Sequence, residues 1–244
     1  MKTCTIGYLP ELDYSGTEAL NTICSNLLFA GQNMKKIVMT SCSAGDGKSY
    51  LTMHTAQNLA GRGKRVCIVD ADLRRSMVIR NYAMETEGEW IGLAHYLAGY
   101  NTMDDIIYQT NIEGMCYVPI GRDLVNPIQL LDSQAFDDLL KMLTANFDIV
   151  LVDALPVGLV IDAAVIAGYC DGCIFVIEYN HTKRRDINEG QKQIEQSGCA
   201  ILGCVINNVK FDSISAKRYY NRGYYKHYYS KYYTKDGKKT KKKK

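Results

Sequence analysis

The chain reads as an α/β domain, a mostly parallel central sheet with helices on both faces. Three observations predict it. Apolar runs without polar alternation, Ile37-Val38-Met39, Val66-Cys67-Ile68-Val69 and Ile149-Val150-Leu151-Val152, suit strands covered on both sides. Segments with helical apolar spacing separate such runs, so strand and helix alternate with right-handed crossovers. Two of the runs end in carboxylates, Asp70-Ala71-Asp72 and Asp153, at the strand ends where open α/β sheets bind ligands.

In chain order, residues 1–15 contain Pro10 and a polar Asp13-Tyr14-Ser15, and are expected to be irregular. Thr17 is the expected N-cap of a helix whose Leu20, Ile23, Cys24, Leu27 and Leu28 recur at helical spacing, with Gly31 closing it. A strand at 36–41 leads into Thr40–Ser49, and helical character follows from Tyr50 to Leu59. Beyond the strand 65–69, Gly92–Gly99 predicts a short helix in which His95 is structural or solvent-facing rather than catalytic. Tyr117–Ile120 predicts a short strand, Asn126–Leu131 opens a helix, and Ala135–Leu143 carries an apolar helical stripe. Phe147–Asp153 is a strand, and Pro156 and Gly158 turn the chain into a helix at Ile161–Ile166. Strands at Cys173–Ile177 and Leu202–Ile206 flank a helix at Ile187–Glu195.

Strand, glycine-containing turn, Lys-Ser and helix is the layout of a phosphate-binding loop. Glycines let backbone N–H groups close around phosphate oxygens, and a helix N-terminus adds partial positive charge. Lys48 would reach the β- and γ-phosphates, and the Ser49 hydroxyl would bind Mg²⁺. The general pattern wants glycine where this chain has Cys42. A hydrophobic strand ending in Asp153 matches the acidic partner of such a loop, a carboxylate that holds Mg²⁺. Asp70 and Asp72, one residue apart, could face a metal and a reacting hydroxyl, or simply form an Asp-rich turn.

Nine cysteines, scattered except for Cys170-Asp-Gly-Cys173, and no leader-like N-terminus point to a reducing cytosol. The lone CxxC enters an apolar strand and is expected to be core. The longest apolar region, 149–169, is broken by Asp153, Pro156 and Asp162, so no membrane span is expected. The net charge of +3 divides unevenly: residues 217–244 hold 12 Lys and Arg against Asp236, or +11, which leaves −8 (+3 less +11) for residues 1–216. The expected organisation is therefore a nucleotide-binding domain over 1–216 and a flexible basic tail over 217–244. The tail pairs its tyrosines: Tyr219 and Tyr220, Tyr224 and Tyr225, Tyr228 and Tyr229, Tyr232 and Tyr233. They could form a helix on the body, stack single-stranded bases, or accept phosphate. Each phosphotyrosine adds roughly −1.5 to −2 charges, so eight would add about −12 to −16 and reverse the tail's sign.

Taken together, the Walker A-like Thr40–Ser49, the Val69-Asp70-Ala71-Asp72-Leu73-Arg74 stretch, Ile149–Asp153 with Pro156-Val157-Gly158, and the tyrosine cluster resemble the bacterial tyrosine kinases of capsular and exopolysaccharide systems. Gly92-Leu93 with Tyr96-Leu97, and Asn126-Pro127 with Leu130-Leu131 and Ser133, strengthen the likeness, which spans roughly 14–208 and the tail. The resemblance implies a P-loop NTPase fold and an ATP- and Mg²⁺-dependent protein-tyrosine autokinase regulating polysaccharide synthesis and export. Catalytic roles fall to Lys48, Asp70, Asp72 and Asp153, with Asp70 orienting or deprotonating the acceptor hydroxyl. Nucleotide contacts fall to Ser43, Ala44, Gly45, Asp46, Gly47, Lys48, Ser49, Tyr50 and, near adenine, Asn207. The metal falls to Ser49, Asp72 and Asp153, nearby charge compensation to Arg74, and phosphate acceptance to the eight tail tyrosines.

It further implies a cytoplasmic enzyme recruited to the inner face of the membrane by a transmembrane activator of the polysaccharide co-polymerase type, and a cognate tyrosine phosphatase. The basic tail could also touch anionic lipid; nucleic acid is not an expected partner. Relatives assemble rings through a glutamate and two arginines at three-residue spacing. Here Glu18 is followed by Asn21 and Cys24, which puts a homo-oligomeric ring in doubt. Ala44 stands where proline is usual and Asp46 where glutamate is. Two other readings compete. One is a positioning or partition ATPase, which would carry an extra lysine where this chain has Ser43. The other is a nucleotide-gated binding module with an RNA- or lipid-contacting tail.

Overall fold

The computed structural model describes residues 1–31 and 33–209, so the tail tyrosines and the boundary expected at 216 lie outside the described residues. A compact unit runs from Met1 to Asn207. In order it contains β1 (Lys2–Ile6), α1 (Tyr14–Phe29), β2 (Lys36–Ser41), α2 (Lys48–Gly61), β3 (Val66–Asp70), α3 (Val78–Asn81), β4 (Met84–Thr86), α4 (Leu93–Leu97) and α5 (Met103–Ile106). There follow β5 (Tyr108–Gln109), β6 (Met115–Val118), α6 (Ile128–Leu131), α7 (Gln134–Asn146), β7 (Ile149–Asp153), α8 (Asp162–Ala167), β8 (Gly172–Glu178), α9 (Arg184–Gln196) and β9 (Ala200–Asn207).

The strands form one sheet in the order β4-β1-β5-β6-β3-β7-β2-β8-β9. Its central pairings are parallel, and only β1 with β4 and β5 with β6 run antiparallel. Burial on both faces accounts for the unbroken apolar runs. In β2, Val38 faces one core while Ile37 and Met39 face the other; β3 and β7 divide in the same way. The first core gathers Leu93, Phe136, Leu139, Leu143, Ile166 and Ile194 from the helices that follow the middle strands. The second gathers Leu20, Cys24, Leu27, Met53 and Leu59 from α1 and α2.

Three expectations are corrected. The N-terminus is not irregular, because Lys2–Ile6 alternates, burying Cys4 and Ile6, and joins β4 and β5 at the sheet margin. The N-cap of α1 is Asp13, not Thr17: its Oδ1 accepts from the Gly16 N–H at 2.7 Å, while Thr17 sits inside the first turn. The strand placed at 117–120 ends at Val118, where Pro119 lacks a ladder donor. His95 is structural, its Nδ1 accepting from the Gly92 N–H at 3.2 Å. Cys173 lies buried in β8 and both CxxC thiols are free, their pKa values pushed above the ordinary thiol range chiefly by burial. No helix among the described residues is long and apolar enough to cross a membrane.

An N-cap of this kind is worth about 1 kcal/mol. Asp13→Ala is expected to lower unfolding stability by about that amount in urea titration, and Thr17→Ala by less.

Candidate functional site

The loop between β2 and α2 folds as its glycines require. Gly45 and Gly47 both sit at φ +90°, a conformation that other residues adopt only with strain. Gly47 caps α2 and leaves the first-turn N–H groups of Gly47, Lys48, Ser49 and Tyr50 without intrahelical acceptors, which makes an anion site at the helix N-terminus. A Cβ at Gly47 would collide with the Asn207 amide, whose Nδ2 donates to the Asp46 carbonyl at 3.0 Å. The Asp46 carboxylate is buried and braces the turn from inside, accepting from the Ser43 N–H at 2.9 Å and from Thr182 Oγ1 at 3.2 Å. Ala44 and Gly45 form the exposed crown.

Cys42 departs from the glycine pattern without strain, because it keeps a negative φ and its side chain is buried. The close approaches fall to other glycines. Gly158 packs its Cα against the Cys42 carbonyl, and Gly190 on α9 leaves room near the Cys42 sulfur. The turn after β7 is laced to the loop strand: Val157 N–H donates to Ser41 O at 2.8 Å, and Thr40 Oγ1 to Leu155 O at 2.6 Å.

Asp70 and Asp153 are register partners on neighbouring strands, so their carboxylates emerge side by side at the same sheet edge. Lys48 answers them. Its Nζ donates to Asp153 Oδ1 at 3.2 Å and to Ser49 Oγ at 3.1 Å. Burial works against the Lys48 ammonium, but the charges of Asp153, Asp72 and Asp70 outweigh it and hold its pKa above the ordinary value. Burial raises the Asp70 pKa to about 7, and the Asp153 charge adds to this; bonds from Ser76 and Tyr117 and the charge of Lys48 pull the other way. The half-buried Asp72 is also raised by burial, opposed by Lys48, and its Oδ1 accepts from the Arg75 N–H at 3.1 Å.

Three carboxylates against one ammonium leave a site short of positive charge. Asp153 Oδ2 is buried without a hydrogen-bond partner. An orphaned carboxylate oxygen, on a group that shares the Lys48 ammonium with the Ser49 hydroxyl near an anion-binding helix terminus, would suit a divalent cation.

Some predicted residues are placed differently. The Tyr50 ring turns onto His54, with 4.3 Å between centroids, so only its backbone faces the loop. Arg74 is bound edge-on to the fully buried Asp162, at 2.7 and 3.0 Å, and also donates to Val125 O at 3.1 Å. Its guanidinium is fastened to Asp162, and the Asp72 charge acts on it as well. Asn21 and Cys24 face the chain's own α2: Asn21 Oδ1 accepts from Asn58 Nδ2 and Arg62 Nη2, and Cys24 is fully buried. Sequence reasoning missed Tyr117 and Ser76 on Asp70, Asp162 on Arg74, and Thr182 on Asp46. None lies in a motif; Ser76 is six residues from Asp70, and the other three meet their partners from distant elements.

Comparison with known proteins agrees with this geometry. Residues 34–196 match the family described as AAA domain. The tyrosine-protein kinase CpsD of Streptococcus agalactiae is 34% identical over 84% of this chain and 89% of its own length. That of Streptococcus pneumoniae is 33% identical over 85% and 89%. The chain belongs to the bacterial tyrosine-kinase family. Among solved structures, the chimerical protein CapA2B2 superposes with a TM-score of 0.75 at 27% identity, covering 84% of this chain and 94% of that one. The kinase domain of Escherichia coli tyrosine kinase ETK follows with 0.73 at 27%, covering 80% and 78%. The septum site-determining protein MinD of Pyrococcus horikoshii, at 0.59 and 24%, shares the fold. The P-loop ATPase fold and its nucleotide site are therefore properties of the family to which this chain belongs.

Since the φ of Gly47 and the Asn207 amide both exclude a side chain, Gly47→Ala is expected to weaken binding of a fluorescent ADP analogue at least tenfold. A Gly61→Ala control, where a Cβ meets nothing, should leave it unchanged.

Proposed function

We propose that this protein is an ATP-dependent protein-tyrosine autokinase that phosphorylates the tyrosine cluster Tyr219–Tyr233 and so regulates capsular or exopolysaccharide synthesis and export. The observation that carries the reading is the convergence of Lys48, Asp70, Asp72 and Asp153 below a phosphate-binding turn. With ATP bound, Mg²⁺ would supply charge neutralisation to the phosphates. Ser49, Asp72 and Asp153 are the groups to hold it, the orphaned Asp153 Oδ2 foremost. Lys48 leaves Asp153 for the phosphates, and the loop amides from Ala44 to Tyr50 bind their oxygens, while the Ser43 N–H stays on Asp46. Asn207, lying on the loop backbone, borders the adenine side.

The acceptor phenol has a pKa of about 10, so it arrives protonated and needs a positioned carboxylate. Asp70 orients it and takes its proton. The bond from tyrosine oxygen to γ-phosphorus forms, the bond from γ-phosphorus to the β–γ bridging oxygen breaks, and ADP leaves. An acceptor tail at +11 approaching a body at −8 is electrostatically favoured, and phosphorylation reverses that attraction. The protein would work at the inner face of the membrane, beside a membrane-spanning activator, with a phosphatase resetting the tail. Asn21 and Cys24 are engaged with α2, so assembly of copies would use surfaces other than that face of α1.

The positioning-ATPase reading shares this fold but leaves the tyrosine cluster without a role, and Ser43 stands where its additional lysine belongs. Intact mass after incubation with ATP and Mg²⁺, together with the cytoplasmic segment of the membrane partner, separates the two. Successive additions of phosphate mapping to Tyr219–Tyr233, absent in Lys48→Met, are expected. ATP hydrolysis with no tyrosine modified would contradict the kinase.

A further inference from the structure

Tyr117 belongs to no motif, yet its hydroxyl reaches the centre of the site. It is fully buried on β6, one strand over from Asp70, and donates to Asp70 Oδ2 at 2.9 Å. Ser76 Oγ donates to the same oxygen through a still shorter bond. Asp70 Oδ1 has a single long contact, from the Asp72 N–H at 3.3 Å. Two hydroxyls on one oxygen therefore fix the plane of the carboxylate and leave the other oxygen the less encumbered.

The tyrosine ring is itself held. Trp90 meets it edge-on with 6.5 Å between centroids, and β3 and β6 pair from Val66 and Met115 to Val69 and Val118. A phenylalanine would fill the same volume, so what the phenol oxygen adds is the bond to Asp70. Hydrogen bonds from neutral donors to a carboxylate are among the stronger kind, and they hold the anion at a defined angle. Asp70 needs such a hold because its register partner, Asp153, carries like charge.

We propose that Tyr117, with Ser76 as its second, is a positioning residue that holds Asp70 Oδ1 toward the acceptor tyrosine during phosphoryl transfer. The proposal rests on the Asp70 role given above. It acts on the transfer step and not on nucleotide binding, since neither hydroxyl is bonded to the phosphate loop.

The test uses the full chain with its activator segment, measuring the initial rate of tyrosine phosphorylation against ATP concentration and ADP-analogue affinity by titration. Tyr117→Phe should lower kcat about tenfold, with KM for ATP and ADP affinity within twofold of wild type. Ser76→Ala, which leaves the core untouched, should do the same and keeps the test open if Tyr117→Phe misfolds. Asp70→Asn should lose at least as much as either. If Asp70→Asn loses transfer while Ser76→Ala and a folded Tyr117→Phe retain the wild-type rate, the positioning role is overturned and the Asp70 role stands. If Asp70→Asn itself works at the wild-type rate, the Asp70 role falls and takes this one with it. Equal losses in kcat and nucleotide affinity would mark Tyr117 as structural only and also overturn the proposal.

Discussion

The Lys48 ammonium, held among Asp153, Asp72 and Asp70, is the constraint on which the rest of the structure depends. Three carboxylates at the ends of two adjacent strands would repel one another, and two of them are wholly removed from water. One buried cation makes this tolerable, and the opposing carboxylates in turn make it tolerable to bury that cation. The balance is deliberately incomplete: one ammonium against three acids, with Asp153 Oδ2 left unpartnered. In the proposed function, such a site would gain on taking up a divalent ion with a nucleotide, and the phosphates would give the ammonium a new partner.

Around this centre the fold serves to keep distances fixed. Parallel pairing of β3, β7 and β2 brings Asp70, Asp153 and the phosphate loop to one edge. Burial on both faces opposes a one-residue slip of these strands, which would exchange two filled cores. The loop is braced from outside the motif by Thr182 and Asn207, and the carboxylate segment after β3 is tied by Arg74 to Asp162 and Val125 O. The pair of Arg74 with a fully buried carboxylate is a local fastening, and removing the arginine would leave a buried charge alone.

Much of this was legible in the sequence because it is local. Strand, turn, Lys-Ser and helix follow one another within fifteen residues, and Asp70 and Asp153 directly end apolar runs. Although Asp70 and Asp72 needed the family resemblance to be told from an Asp-rich turn, Lys48, Ser49 and Asp153 could be assembled from order alone. The partners that tune them could not. Tyr117 lies 47 residues from Asp70, Asp162 lies 88 from Arg74, and Thr182 lies 136 from Asp46. Their meeting depends on the strand order, which periodicity does not encode. Strands of two, three and five residues at the sheet margin, β5, β4 and β1, carry too few positions for alternation to stand out from a loop. Asp13 lost the N-cap reading to Thr17 because both are good caps and only the helix start decides between them.

The most direct test of the central claim is a crystal structure with a non-hydrolysable ATP analogue and Mn²⁺ in place of Mg²⁺, located by its anomalous signal. The account predicts one metal ion liganded by Ser49 Oγ with Asp153 directly or through one water, and Lys48 Nζ moved from Asp153 onto the phosphates. Nucleotide bound with Lys48 still on Asp153, or a metal held by neither Ser49 nor Asp153, would contradict it.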